Sequence, residues 1–398
     1  MDLTIKPGKL AGKISIIPSK SQAHRLLICA AFADKPTSLF CADTNRDIDA
    51  TASCLNALGA QVNRTESGYE VIPAKKTPEE AILPCRDSGS TLRFLLPVAG
   101  ALGVKADFLM EGRLSQRPLS PLWEEMEWMG CKLSYSGRNT LHCEGQLRSG
   151  EYQIDGSVSS QFISGLLFAA ALIPGENQIT ITGKMESKPY VDMTRHAMTI
   201  FGRSSHNFTV SGGIPFSSPE KLTVEGDWSN GAFFLAAKAL GSSISVENLS
   251  PNSLQGDKAA AEILPNLKKH CVISAADIPD LVPILSIVAA CNQGAVFTNI
   301  QRLRLKESDR VASVISMLRN LGGNAEATED TLTVYGTGLT GGTVDSANDH
   351  RIAMSAAIAA TVSRDPVTIL GTQCVEKSYP IFFEEYHRLG GNYEQYLR

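Results

Sequence analysis

The sequence predicts an α/β protein of two similar halves, each made of three copies of one unit: strand, helix, strand, helix and hairpin. Two observations carry that expectation. A short phrase, an amphipathic helix ending in Gly and then a strand, returns along the chain at nearly fixed distance. Clusters of charged and hydroxylated residues also stand at the start of one expected helix after another. With 398 residues there is chain enough for two domains, each with a proper core.

Taken in order, an N-terminal strand over 3–16 is expected to return to the C-terminal half. Ser19-Lys-Ser-Gln-Ala-His-Arg25 opens a helix running to Ala33, and the first copy of the phrase is Cys54-Leu-Asn-Ala-Leu-Gly-Ala-Gln-Val62. Asp87-Ser-Gly-Ser-Thr-Leu-Arg93 opens a helix to Leu102, followed by Met126-Glu-Trp-Met-Gly-Cys-Lys-Leu133. Gly156-Ser-Val-Ser-Ser-Gln-Phe162 opens an apolar helix through Leu172, and the phrase comes again as Met198-Thr-Ile-Phe-Gly-Arg203. Pro- and Gly-rich punctuation over 211–220 precedes a crossing between halves at 222–227. A weak copy without its glycine lies at 263–272, and stronger ones at Met317-Leu-Arg-Asn-Leu-Gly-Gly-Asn324 and His387-Arg-Leu-Gly-Gly-Asn-Tyr393.

The glycines at 59, 130, 202, 322 and 390 suit helix C-caps, where a left-handed backbone favours Gly. From 59 to 130 and on to 202 the intervals are 71 and 72 residues, and from 322 to 390 the interval is 68. A period this long is not that of a solenoid. It fits a duplicated α/β unit, with one domain at 1–18 plus 227–398 and the other at 19–226.

Composition narrows the class of function. Apolar content of 43% with 20% charged residues describes an ordinary globular protein. No run of 18 apolar residues and no signal-like N-terminus are present, so no membrane association is expected and a cytoplasmic location is. Nine scattered cysteines without C-x-x-C spacing read as reduced core residues. Seven dispersed histidines, without H-x-x-x-H, show no protein-built metal site. The net charge of −4 and the lack of a basic tract argue against nucleic acid as a partner.

The segment Leu303-Arg-Leu-Lys-Glu-Ser-Asp-Arg310 lies between a strand-like run, 294–300, and a helix-like one, 311–321. Ser308 or Asp309 there could simply cap a helix. Capping does not explain the cations, however. Lys20, Arg25, Arg93, Lys306, Arg310, Arg351 and Lys377 all fall near expected helix starts, where the helix dipole alone disfavours positive charge. Together they are expected to line an electropositive cleft for substrates carrying several negative charges. Asp280 and Glu307 are the acids placed to move protons beside those lysines.

These clusters, in this order, resemble the 5-enolpyruvylshikimate-3-phosphate synthase family over essentially the whole chain. The resemblance rests on Ser19-Lys-Ser21 with Arg25, Arg117-Pro118, the segments 156–162 and 186–190, Ile278-Pro-Asp280, Lys306–Arg310 and Asn348-Asp-His-Arg351. It implies a two-domain enolpyruvyl transferase-like fold, each domain three βαβαββ units forming an inside-out α/β barrel. It further implies a monomer that takes shikimate 3-phosphate and phosphoenolpyruvate, without a cofactor. Carried over by position, Lys20, Ser21, Arg25, Ser159, Ser160, Gln161, Ser187, Tyr190, Asp280 and Lys306 would hold shikimate 3-phosphate. Lys20, Gly89, Arg93, Arg117, Gln161, Arg310, Arg351 and Lys377 would surround phosphoenolpyruvate. Lys20, Asp280, Glu307 and Lys377 would be catalytic.

Asp87 departs from the Asn of many members, as do His24 and Arg302 from their common counterparts. The related UDP-N-acetylglucosamine enolpyruvyl transferases usually carry a cysteine in the loop before the Arg-Pro pair, and 111–117 has none. A non-catalytic phosphometabolite-binding protein would be expected to have lost Lys20, Asp280 or Glu307, and all three are present.

Overall fold

The protein is described by a computed structural model over residues 1–396. The chain forms two compact units, Met1–Ile17 with Glu225–Arg398, and Pro18–Val224. Each has its own apolar core, and among the described residues each contains three sheets.

One strand pattern recurs. In Pro18–Val224 it is complete in Glu80–Arg86, Lys105–Met110, Cys131–Ser136 and Thr140–Gly145, which lie side by side in the order first, second, fourth, third. The first two run parallel across the helix Gly89–Leu102, and the remaining pairings are antiparallel. The other unit repeats this with Cys271–Ser274, Ala295–Thr298, Asn324–Ala327 and Thr331–Tyr335.

Two further sheets are completed by a strand from far along the chain. Lys221–Thr223 lies parallel to Thr37–Phe40, and Asp2–Ile5 lies between Val367–Leu370 and Tyr393–Tyr396. The remaining sheets are smaller: three strands in one, and in the other only Ala11–Ser15 against Ser243–Glu247.

The N-terminal run expected as one strand is thus two, in two sheets of the same unit. Pro7, which lacks an N–H, and Gly8 interrupt it. The weak copy of the phrase at 263–272 also has a structural reason. The helix Ala260–Asn266 leads straight into Cys271–Ser274, the first strand of the next sheet, so no hairpin follows it. The five cap glycines all take positive φ, from 72° at Gly202 to 118° at Gly130.

Each unit buries helices that are apolar nearly all round, as a central position demands. They are Gly89–Leu102 and Ser160–Leu172 in one unit, and Val282–Ala290 and His350–Ala359 in the other. Gly165 lets the first pair pack closely, because a Cβ there would stand 2.3 Å from the Arg93 carbonyl oxygen. The polar clusters lie in or just before the first turns of these helices, with Asp280 two residues ahead of Val282–Ala290. No helix among the described residues is long and apolar enough to cross a membrane.

Candidate active site

In Pro18–Val224 the side chains singled out in the sequence meet at the N-terminal turns of five helices. Lys20 is the first residue of the helix Lys20–Ala31, capped by Ser19. Its ammonium lies 2.8 Å from the Asp47 carboxylate, in the first turn of Arg46–Ala57. Arg25, one turn further on, is almost wholly buried. It donates to the Thr194 hydroxyl at 2.7 Å and to the carbonyls of Ser21 and Tyr190 at 2.6 and 2.8 Å. Its guanidinium rests 5.0 Å from the Phe94 ring centre. Burial lowers its pKa to about 10, far enough above neutrality to leave it charged.

The helix Gly89–Leu102 starts with Ser88 as cap, and Gly89 is its first residue. A Cβ on Gly89 would come within 2.7 Å of Arg117 Nη1 and 3.0 Å of Arg93 Nη1, so only glycine lets both guanidinium groups lie against this turn. Arg93 donates to the Gln161 side-chain oxygen at 2.9 Å and to the Pro118 carbonyl at 3.2 Å. Gln161 in turn donates to Ser90 at 2.9 Å. Ser159 caps the helix that Ser160 and Gln161 begin. Ser187, at φ 53°, immediately precedes the helix Lys188–Ile200, whose first turn contains Tyr190. Backbone N–H groups, two arginines and an amide at one place make a surface chemically suited to an anion.

The other unit holds a second cluster of different character. Asp280, just before Val282–Ala290, accepts from Arg310 Nη1 at 2.6 Å and from Arg351 Nη2 at 2.9 Å, with Lys306 Nζ at 3.7 Å. Burial would raise its pKa, but Arg351, Lys306 and Arg310 outweigh that and hold the carboxyl well below its ordinary range. Arg310 has all three nitrogens engaged: it donates to Asp280, to Glu307 at 2.8 Å and to Asp349 at 2.8 Å. Arg351 does not. It is 4% exposed, yet its Nε and Nη1 have no hydrogen-bond partner among the described residues. Burial pushes Lys306 down to about 8, against the pull of Asp280.

Lys306 and Lys377 depart from the expected placement at helix starts. Lys306 directly follows the 3-10 helix Gln301–Leu305, and Lys377, which is buried, ends the 3-10 helix Thr372–Lys377. At such C-terminal ends carbonyl groups favour a cation, so the dipole argument does not single out these two. Asp309 does cap its helix, accepting from the Ala312 N–H at 3.1 Å. The basic residues therefore divide between the two units, and those beside Asp280 stand among carboxylates.

A model of the EPSP synthase family, described as 3-phosphoshikimate 1-carboxyvinyltransferase, matches residues 5–386. The chain belongs to this family. It is 38% identical to the 3-phosphoshikimate 1-carboxyvinyltransferase of Clostridium beijerinckii, over 99% of both chains. It is 35% identical to that of Clostridioides difficile, over 99% of this chain and 98% of the relative. In fold it is similar to an EPSP synthase structure from Acinetobacter baumannii, with a TM-score of 0.80 and 24% identity, over 99% of this chain and all of the other.

Four polar residues at the two clusters were not singled out from the sequence of this family member. Asp47 holds Lys20, and Thr194 holds Arg25. Asp349 caps His350–Ala359 and also binds Arg310 and Ser308. Asp257 is wholly buried, accepts from the Ser229 hydroxyl, and lies near enough to Arg351 and Asp280 to feel both charges. Asp349 had a visible signal, being inside a quoted segment. The other three look like ordinary polar residues of a helix turn or loop. Among the described residues no group of three or more His, Cys, Asp or Glu could hold a metal ion.

Proposed function

We infer that this chain transfers the enolpyruvyl group of phosphoenolpyruvate to the 5-hydroxyl of shikimate 3-phosphate, releasing phosphate. The observation that carries the reading is Asp280, kept ionised by Arg310, Arg351 and Lys306. Asp280 accepts the 5-hydroxyl proton as that oxygen attacks C2 of phosphoenolpyruvate, while Glu307 or a lysine delivers a proton to C3. The tetrahedral adduct then loses phosphate from C2 and a proton from C3, which restores the double bond.

A carboxylate held so acidic is a weak base while no substrate competes for its three cations. Anionic substrates that bind those cations dilute their pull on Asp280, so its basicity rises when the substrates are in place. Arg351, with two buried nitrogens open, is the cation best prepared to take an anion. The Gly89, Arg93 and Arg117 surface takes a second anionic group. Arg25 contributes through the Ser21 and Tyr190 carbonyls that it holds.

The test is phosphate release from phosphoenolpyruvate in metal-free buffer, with shikimate 3-phosphate or UDP-N-acetylglucosamine as acceptor. Release with the first acceptor alone is expected. Release only with the sugar nucleotide, or with neither, would overturn the reading.

A further inference from the structure

Helices Lys20–Ala31 and Arg46–Ala57 are joined by two rungs, one helical turn apart. The first is Lys20 to Asp47 at 2.8 Å. The second, four residues on along both helices, is His24 Nδ1 to the Thr51 hydroxyl at 2.7 Å. The second rung does not stop there. Thr51 Oγ1 lies 2.7 Å from Thr91 Oγ1, which donates to Ser88 Oγ at 2.8 Å and approaches the Asp47 carbonyl at 3.4 Å. His24, Thr51, Thr91 and Ser88 are each wholly buried. From these contacts we propose that His24, Thr51 and Thr91 are positioning residues for the reaction: a buried relay that fixes the helix turns bearing Lys20, Asp47, Gly89 and Arg93.

Counting protons gives the relay a direction. The single Thr91 hydroxyl proton goes to Ser88 Oγ or to the Asp47 carbonyl, so Thr91 accepts from Thr51. Thr51 has then used its own proton and must accept from His24, which makes Nδ1 of the imidazole the donor. The chain of donors runs one way, from His24 to the first turn of Gly89–Leu102. Hydrogen bonds in such a buried row polarise one another.

Simple capping does not call for it. Ser88 already caps its helix by accepting from the Thr91 N–H at 3.3 Å, so the Thr91 hydroxyl is surplus to that purpose. Valine at 51 or 91 would fill the same space without burying a polar group. The hydroxyls instead tie three helices into one register. Lys20 lies one turn before His24, Asp47 one turn before Thr51, and Gly89 and Arg93 flank Thr91 by two residues. A slip of any of the three helices would move a charged side chain of the candidate site. His24 also meets Phe94 edge-on, with ring centres 6.3 Å apart, which fixes its ring plane.

The proposal rests on the functional reading above, and its experiment separates the two. Thr51→Val removes the central link while keeping shape, Thr51→Ser keeps the hydroxyl, and His24→Asn keeps a donor at the Nδ1 position. Each is assayed for kcat and for KM of both substrates, and for amide hydrogen exchange over 88–93. The expected result for Thr51→Val is faster exchange at 88–93 and a KM for phosphoenolpyruvate raised about tenfold or more, with Thr51→Ser and His24→Asn close to wild type. A Thr51→Val that lowers only the melting temperature, with KM and kcat unchanged, overturns the proposal. So does a Thr51→Ser as defective as the valine. If the wild type releases no phosphate, the functional reading has failed. Exchange over 88–93 then decides the relay alone: unchanged exchange in Thr51→Val overturns it, and accelerated exchange sustains it.

Discussion

Lys20 Nζ and Asp47 Oδ2 lie 2.8 Å apart, with 15% of the lysine side chain and 4% of the aspartate side chain exposed. The carboxylate is nearly sealed and the ammonium faces outward, so Asp47 aims Lys20 while keeping little contact with water itself. Asp47→Asn keeps the shape and removes the charge. It is expected to lower kcat/KM by about a hundredfold, because misplacing a side chain of the candidate site by an ångström can cost that much. The fold should survive at a cost of about 1–3 kcal/mol. Steady-state kinetics beside a denaturant titration checks this, and unchanged kcat/KM would show that Lys20 needs no aim.

Gly89 gives a prediction with the opposite balance. Its absent Cβ leaves room for the tips of Arg93 and Arg117, which are flexible ends and not backbone. Gly89→Ala should therefore fold normally, with the guanidinium groups pushed aside. The expected effect is a rise in KM for phosphoenolpyruvate of about 10- to 200-fold, the range for one methyl group in a tight site. A large fall in melting temperature would mean that the helix start itself cannot take alanine.

Lys306 sets a limit on the alkaline side. Burial lowers its pKa to about 8, with Arg302 and Arg310 pushing the same way and Asp280 opposing. The protonated form is the one that holds an anion, so kcat/KM should fall as pH rises through about 8. Lys306→Arg keeps its charge over that range, and the alkaline limb should move upward even if the maximum is lower. A limb that stays near 8 in the arginine variant belongs to another group.

How much of this could be read in the sequence depended on distance along the chain. The cap glycines and the phrase around them were legible because capping is a local matter, settled within a few residues. The cluster Lys306–Arg310 with Asp280 and Arg351 was legible as a set of unusual residues, but not as a balanced one. That each nitrogen of Arg310 meets a carboxylate follows only from the packing of three helix starts. Asp47 was passed over because an aspartate in a first helical turn is ordinary. Its partner is on the preceding helix. The Lys221–Thr223 strand was likewise hidden, since it completes a sheet with chain far away in sequence; the return of the N-terminal strand to the C-terminal half was legible, but not its place between Val367–Leu370 and Tyr393–Tyr396.

Asp257 ties stability to pH in a direction opposite to most carboxylates. Burial, reinforced by the charge of Asp280, raises its pKa to about 6, with Arg351 and the Ser229 hydroxyl opposing. An unfolded aspartate titrates near ~3.9. The folded protein therefore binds this proton more tightly than the unfolded chain. Its contribution is full below about pH 4 and is lost as pH rises through about 6. Asp280 and Asp349, whose folded pKa values are lowered, behave the other way: they contribute above about pH 4 and lose that contribution in stronger acid. Between pH 5 and 8 Asp257 is thus the carboxylate of the cluster that costs stability as pH increases. Asn at this position has no proton to lose and can still accept from Ser229. Asp257→Asn should match wild type near pH 4.5 and melt several degrees higher at pH 8, from a difference of at most about 3 kcal/mol. Melting curves of both proteins across that range decide it: a difference that stays constant with pH, or favours wild type at pH 8, would show that Asp257 is ionised in the fold.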